Sequence, residues 1–139
     1  MNIAKICMLT LTVLFLSACM SPPEGLDLST QRLSEHGRYR VQIKPLEANV
    51  PVNKIHRWEV QVTRPGGEPV AGVKIGVDGG MPQHGHGLPT KPRVTRELGN
   101  GQYLVEGMKF NMSGWWEIKI TVADTEASDK ATFNLVVRS

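Results

Sequence analysis

The 139-residue chain sets 16 Lys+Arg against 13 Asp+Glu, a formal net charge of +3, and 40% of its residues are hydrophobic. No basic run accompanies that small excess, so nucleic acid, which needs a concentrated basic face, is excluded as a partner class. Both cysteines fall within the first 19 residues, which rules out a disulfide framework for the rest.

The first element is a secretory signal. In "MNIAKICMLTLTVLFLSAC", Lys5 precedes an apolar run that ends in Leu16, Ser17, Ala18 and Cys19. Small residues directly before a cysteine resemble the bacterial lipobox, where cleavage leaves the cysteine as an acylated N-terminus. The apolar run is shorter than the roughly 20 residues a bilayer-spanning helix requires, which favours a signal over a membrane span. The expected product begins at lipidated Cys19, faces the periplasm and is held to the membrane by its lipid. Met20 in place of an aspartate after the cysteine points to the outer membrane, by resemblance to the lipoproteins of enteric bacteria. Loss of residues 1–18 removes Cys7 and Lys5, so the remaining charge is 15 minus 13, or +2. With Cys19 blocked, no thiol is left for a thiolate metal site or a cysteine nucleophile.

Residues 19–37 contain "SPPEGLDLSTQRLSEHG", polar, opening on two prolines and without a sustained period. This stretch reads as a flexible tether. The remainder, 38–139, has the size of one domain and no internal repeat.

Seven segments of the domain alternate with period two, the mark of half-buried strands. They are Arg38–Lys44, Lys54–Thr63, Gly72–Asp78, Arg93–Leu98, Gln102–Met108, Gly114–Ala123 and Lys130–Arg138. Turn signals such as "RPGGEPVAG", "GNG" and "DTEASD" lie between them, and no segment has helical periodicity. The pattern predicts an all-β, seven-stranded immunoglobulin-like sandwich held by apolar packing. Parity puts His56, Trp58, Val60 and Val62 on one inward face, with Val73, Ile75 and Val77, then Trp116, Ile118, Ile120 and Val122, then Phe133, Leu135 and Val137 on others. Trp115 then faces outward. The fourth and fifth segments leave the choice between Tyr103 with Val105 and Leu104 open.

In such a sandwich, alternate connections emerge at the same end. The third connection, "GGMPQHGHGLPTKP", therefore shares a pole with the fifth, "MKFNMSG", and with the start of the second strand. His84, His86, Met81, Met112 and His56 are expected to converge there. Thioether sulfur is soft and suits Cu(I), and imidazole suits copper in either state, so this set points to copper over zinc. Taken singly, each residue has a plainer reading: an exposed polar turn for the His-x-His pair, a hydrogen-bonded core histidine for His56, and gap-filling core for Met81, Met112 and Met108. The sequon at Asn111 carries no weight in a bacterial lipoprotein.

"GGEPVAGVKI", "MPQHGHG" and "LGNGQYLVEGMKFNMSGWWEIKI", in that order and spacing, resemble the YtkA-like domain, a small bacterial β-sandwich related to FixH. The resemblance covers about Trp58 to Thr121. It implies an association with copper supply to respiratory oxidases, as for FixH-like members, and assigns no catalytic residue. A lipid anchor in place of a transmembrane helix departs from FixH and separates this chain from a direct role in oxidase assembly.

The sequence thus predicts a lipid-anchored envelope protein that binds copper as a store, carrier or resistance factor. His84 and His86 are the leading ligands. The rival expectation is an interaction module without metal, whose loops and Trp115 hold an envelope protein. An enzyme is not expected, because metal hydrolysis needs three ligands, an open position and a nearby base. Only Asp78 and Glu106, with Glu47 further off, supply acids near these loops.

Overall fold

The computed structural model describes residues 20–139; the predicted signal and Cys19 lie outside the described residues. No helix occurs among the described residues. The strands are β1 (Gln31–Leu33), β2 (Arg40–Pro45), β3 (His56–Thr63), β4 (Lys74–Met81), β5 (His86–Gly87), β6 (Arg93–Gly99), β7 (Gln102–Met108), β8 (Gly114–Ala123) and β9 (Ser128–Val137). They hydrogen-bond in the order β1-β2-β3-β7-β6-β4-β8-β9, with β5 attached to β4.

A single residue pair, Gly76 with Arg93, joins β4 to β6. On one side of this seam lie β2, β3, β7 and β6, and on the other β4, β8 and β9. That is the strand division of an immunoglobulin-like sandwich. The sheet folds at the seam and closes on Trp58, Val60, Val62, Tyr103, Val105, Trp116, Ile118, Ile120 and Phe133, all buried.

The parity assignment holds in detail. Along β8 the burial alternates, with Trp116, Ile118, Ile120 and Val122 inside. Trp115 is turned outward, where its Nε1–H donates to Asn134 Oδ1 at 3.0 Å. On β7, Tyr103 and Val105 enter the core and Leu104 is buried outside that cluster. A bulge then reverses the parity: Gly107 has a φ of 87°, a conformation that favours glycine, and the register slips between His56 and Arg57. Met108 consequently comes to lie opposite His56, and both are buried.

Two strands were not expected from the alternation. β5 lies within the connection predicted as a loop, and β4 runs on to Met81 instead of ending at Asp78. β1 lies within the predicted tether. Gln31, Arg32 and Leu33 pair with β2, and the segment is bound to β9 as well. Arg32 donates to the Thr132 carbonyl (2.7 Å), and the Glu35 amide to that of Lys130 (2.8 Å). Asn134 Nδ2 donates to the Asp27 carbonyl (3.1 Å), and Arg32 pairs with Asp27. Residues 27–36 are therefore a strap across the open edge between the first and last strands of the sandwich. Three residues are too few to show a period of two, which is why the pattern missed them.

Beneath the end of the strap the carboxylate of Asp129 is wholly buried and accepts hydrogen bonds from the amides of His36, Arg38 and Lys130 and from the His36 ring. Burial opposes its charge, but hydrogen bonds from the His36 side chain and the neighbouring amides outweigh that cost and hold its pKa well below the usual carboxylate range. Asp124 is held down to about 2, chiefly by the Tyr39 hydroxyl; that hydroxyl donates at 2.6 Å.

Two tests address these contacts. Truncating Trp116 to Ala should cost about 3–5 kcal/mol in urea unfolding, and Trp115 to Ala much less; equal losses would overturn the two faces of β8. The lowered Asp129 pKa contributes stability at pH above the unfolded carboxylate value near 4, and that contribution is lost as pH falls below it and through the folded value. Asp129→Asn should lower the unfolding midpoint at pH 7 by an amount equivalent to roughly 2–4 kcal/mol and flatten its dependence on acid. A variant as acid-sensitive as the wild type would refute the assignment.

Candidate functional site

The histidine-bearing connection is a tight hairpin, because glycine allows its strands to approach. A Cβ on Gly79 would lie 2.3 Å from the Glu117 carbonyl oxygen, and one on Gly80 2.5 Å from that of His86. At the tip, the amides of His84 and Gly85 both donate to the Met81 carbonyl at 3.0 Å, and Gly85 adopts a φ of 65°. Closing the hairpin sets Met81 directly across from His86.

Met81 is 1% exposed, and its methyl lies where a Cβ on Gly114 would stand, at 2.8 Å. The half-buried His86 ring meets Trp116 edge-on, with centroids 5.7 Å apart and planes at 70°. His84 is exposed, and its ring centroid lies 5.9 Å from that of His86. Nδ1 of His86 is 3.1 Å from the Gly87 carbonyl, so the ring donates there from Nδ1 and leaves the Nε2 lone pair free. Met112 is half-buried and packs against the core, and its carbonyl accepts the Trp116 Nε1–H at 3.2 Å. A shallow cleft of about 280 Å³ opens beside Met81 and His86, bordered by Glu117 and Lys119.

His56 belongs to the same pole but to a different environment. It is 2% exposed, and its ring reaches Phe110 at 5.5 Å; Phe110 in turn meets Trp116 at 4.9 Å. The path of ring contacts from His56 to the hairpin histidines thus passes through two aromatic side chains. Its Nδ1 donates to the Lys54 carbonyl at 3.1 Å, and its buried Nε2 has no hydrogen-bond partner among the described residues; neither has Nε1 of neighbouring Trp58. The structure therefore sets His86 against Trp116, Met81 across from His86, His84 beside His86 and the Met112 carbonyl on the Trp116 indole, with His56 behind Phe110.

Among the described residues no three His, Cys, Asp or Glu side chains gather in a geometry that would hold a metal. Asp78 accepts the amide of Gly79 at 2.8 Å, Glu106 the hydroxyl of Thr95 at 2.6 Å, and Glu47 lies beside Arg57, so each of the three nearby acids has a local partner. Sequence reasoning missed Glu117 as a neighbour of the hairpin; its outward parity on β8 and the register with Gly80 would have shown it.

In comparison with solved structures, the fold resembles the crystal structure of a DUF4426 family protein from Pseudomonas aeruginosa PAO1, with a TM-score of 0.54 and 16% sequence identity over 78% of this chain and 94% of that one. No curated protein matches the chain. The YtkA-like family model matches residues 33–121, and the chain belongs to that family.

Proposed function

We propose that this YtkA-like protein is an envelope lipoprotein that binds copper as a store, carrier or resistance factor, through His84 and His86 with thioether support from Met81 and Met112. The observation that carries the reading is the hairpin geometry, in which Met81 faces His86 across the β4–β5 pair and the His84 ring stands 5.9 Å from that of His86. A ring nitrogen binds a metal at about 2.0 Å, so two imidazoles sharing one ion have centroids roughly 5–6 Å apart. The anchored Nδ1 of His86 resembles the arrangement that orients metal-binding imidazoles elsewhere. Two nitrogens and one or two soft sulfurs, beside the apolar edge of Trp116, suit Cu(I) better than Zn(II). His56 serves the packing of the pole in this reading.

Competition with a chromogenic Cu(I) chelator tests it. Replacing His84 and His86 together should abolish stoichiometric binding and leave the unfolding midpoint within about 0.5 kcal/mol of wild type. Met112→Leu and Met81→Leu should weaken Cu(I) more than Cu(II), and His56→Ala should lower stability without changing affinity. Because neutral imidazole is the ligand, affinity should fall on acidification. Stoichiometric binding that survives loss of both histidines would refute the site, and no copper binding at all would favour the protein-interaction reading.

The anchor is tested separately. Cys19→Ala should abolish incorporation of a labelled fatty acid and release the protein from membranes or block its processing. Equal labelling of wild type and variant would remove the lipoprotein reading.

A further inference from the structure

The strap does more than close the sandwich edge. Its upstream end runs from the Asp27 carbonyl, held by Asn134 of β9, to the Ser21 carbonyl, which accepts a hydrogen bond from Gln83 Nε2 at 3.0 Å. Gln83 lies between Met81 and His84 at the tip of the hairpin. Only two peptide links separate Ser21 from Cys19, a reach of at most about 7 Å. A membrane anchor on Cys19 would hold this pole within about a nanometre of the headgroups.

The surface of that pole has a matching chemistry. Ile55, at the entry to β3, is 69% exposed, Leu46 beside it 40%, and Met20 48%. The amide of Leu46 donates to the Arg57 carbonyl, which sets Leu46 next to the start of β3. Lys54 and Lys91 are exposed and Lys109 is half-buried. None of the three is among the ion pairs of the described residues, which join Asp27, Glu35, Glu47, Asp124 and Asp129 to other partners. Apolar side chains standing clear of the surface among unpaired lysines fit an anionic phospholipid headgroup layer, which takes up the apolar tips and attracts the ammonium groups. The opposite pole, around Asn100 and Glu126, also exposes Leu98 (41%), so what sets the His/Met pole apart is its bond to the N-terminal segment at Ser21. The turn at the opposite pole is capped by Asp124, which accepts the amides of Glu126 and Ala127 at 2.9 Å.

We propose that the His/Met pole is a phospholipid-docking surface, with Ile55, Leu46 and Lys54 seated on the bilayer to which the chain is anchored. The proposal rests on the lipoprotein reading for its biological setting, and the test does not. The chain from Cys19 onward has Cys19 as its sole thiol, which can be coupled to a maleimide lipid in nanodiscs of anionic phospholipid carrying a nitroxide headgroup. This supplies the anchor whether or not the cell acylates that residue. Paramagnetic broadening of backbone amides should be severalfold greater at Ile55 and His84 than at Asn100 and Glu126. Broadening that is equal at the two poles, or greater at Asn100 and Glu126, would overturn the proposal. Ile55→Asp combined with Lys54→Glu should reduce the contrast at least twofold while amide shifts away from the pole stay unchanged. An undiminished contrast would show that the anchor alone sets the orientation and that the surface does not dock. Failure of the fatty-acid labelling with success here would remove the natural anchor and leave the docking surface standing.

Discussion

The indole of Trp116 is wholly buried, meets Phe110 edge-on at 4.9 Å and His86 at 5.7 Å, and donates its N–H to the Met112 carbonyl at 3.2 Å. Through these contacts one side chain belongs at once to the core and to the pole. An indole is large and stiff, with a single polar handle that must find an acceptor when buried. Placing it at the mouth of the sandwich fixes the entry to β8, the loop before it and the position of the His86 ring. The hairpin that carries the histidines is thus supported from below by the core.

The rest of the pole is arranged around that support by backbone devices. Gly79 and Gly80 let the β4–β5 hairpin sit against β8, and the Gly107 bulge turns Met108 toward His56. The two histidine environments follow from this. His84 and His86 stand on the solvent side of the Trp116–Phe110 wall, with one ring nitrogen of His86 committed to a carbonyl and the other open. His56 stands on the dry side, where its Nε2 has no partner among the described residues.

Much of the fold was legible because period-two alternation survives wherever a strand has one dry face, as in "WEVQV" and "WEIKITV". The same parity separated Trp115 from Trp116 correctly. It failed where side chains carry no such signal. "GGMPQHGHG" has glycine at the positions that would reveal a face, so β5 and the extension of β4 were hidden within an expected loop. "QRL" is too short for any period, and its hold on the domain comes mostly from backbone groups and from Asp129, 96 positions after Leu33. That the hairpin of Met81, His84 and His86 shares a pole with the loop of Met112 followed from strand order alone. The separation of His56 did not, because it depends on Phe110, a residue in an irregular connection whose inward turn no alternation foretells.

The strap links distant parts of the chain: Arg32 reaches Thr132, 100 positions on, and Asp27 is held by Asn134, 107 positions on. Such contacts form only after a long loop has closed, and they carry an entropic cost that grows slowly with loop length but arrives before any reward. Folding of this chain is therefore gated by its own far end. A nascent chain still lacking β9 has nowhere to lay the strap and leaves the amides of His36 and Arg38 without the Asp129 carboxylate. The same arrangement couples the two termini in the finished molecule: fraying of the last strand frees the segment that leads to Ser21, so the domain's stability and its hold on the N-terminal segment fall together.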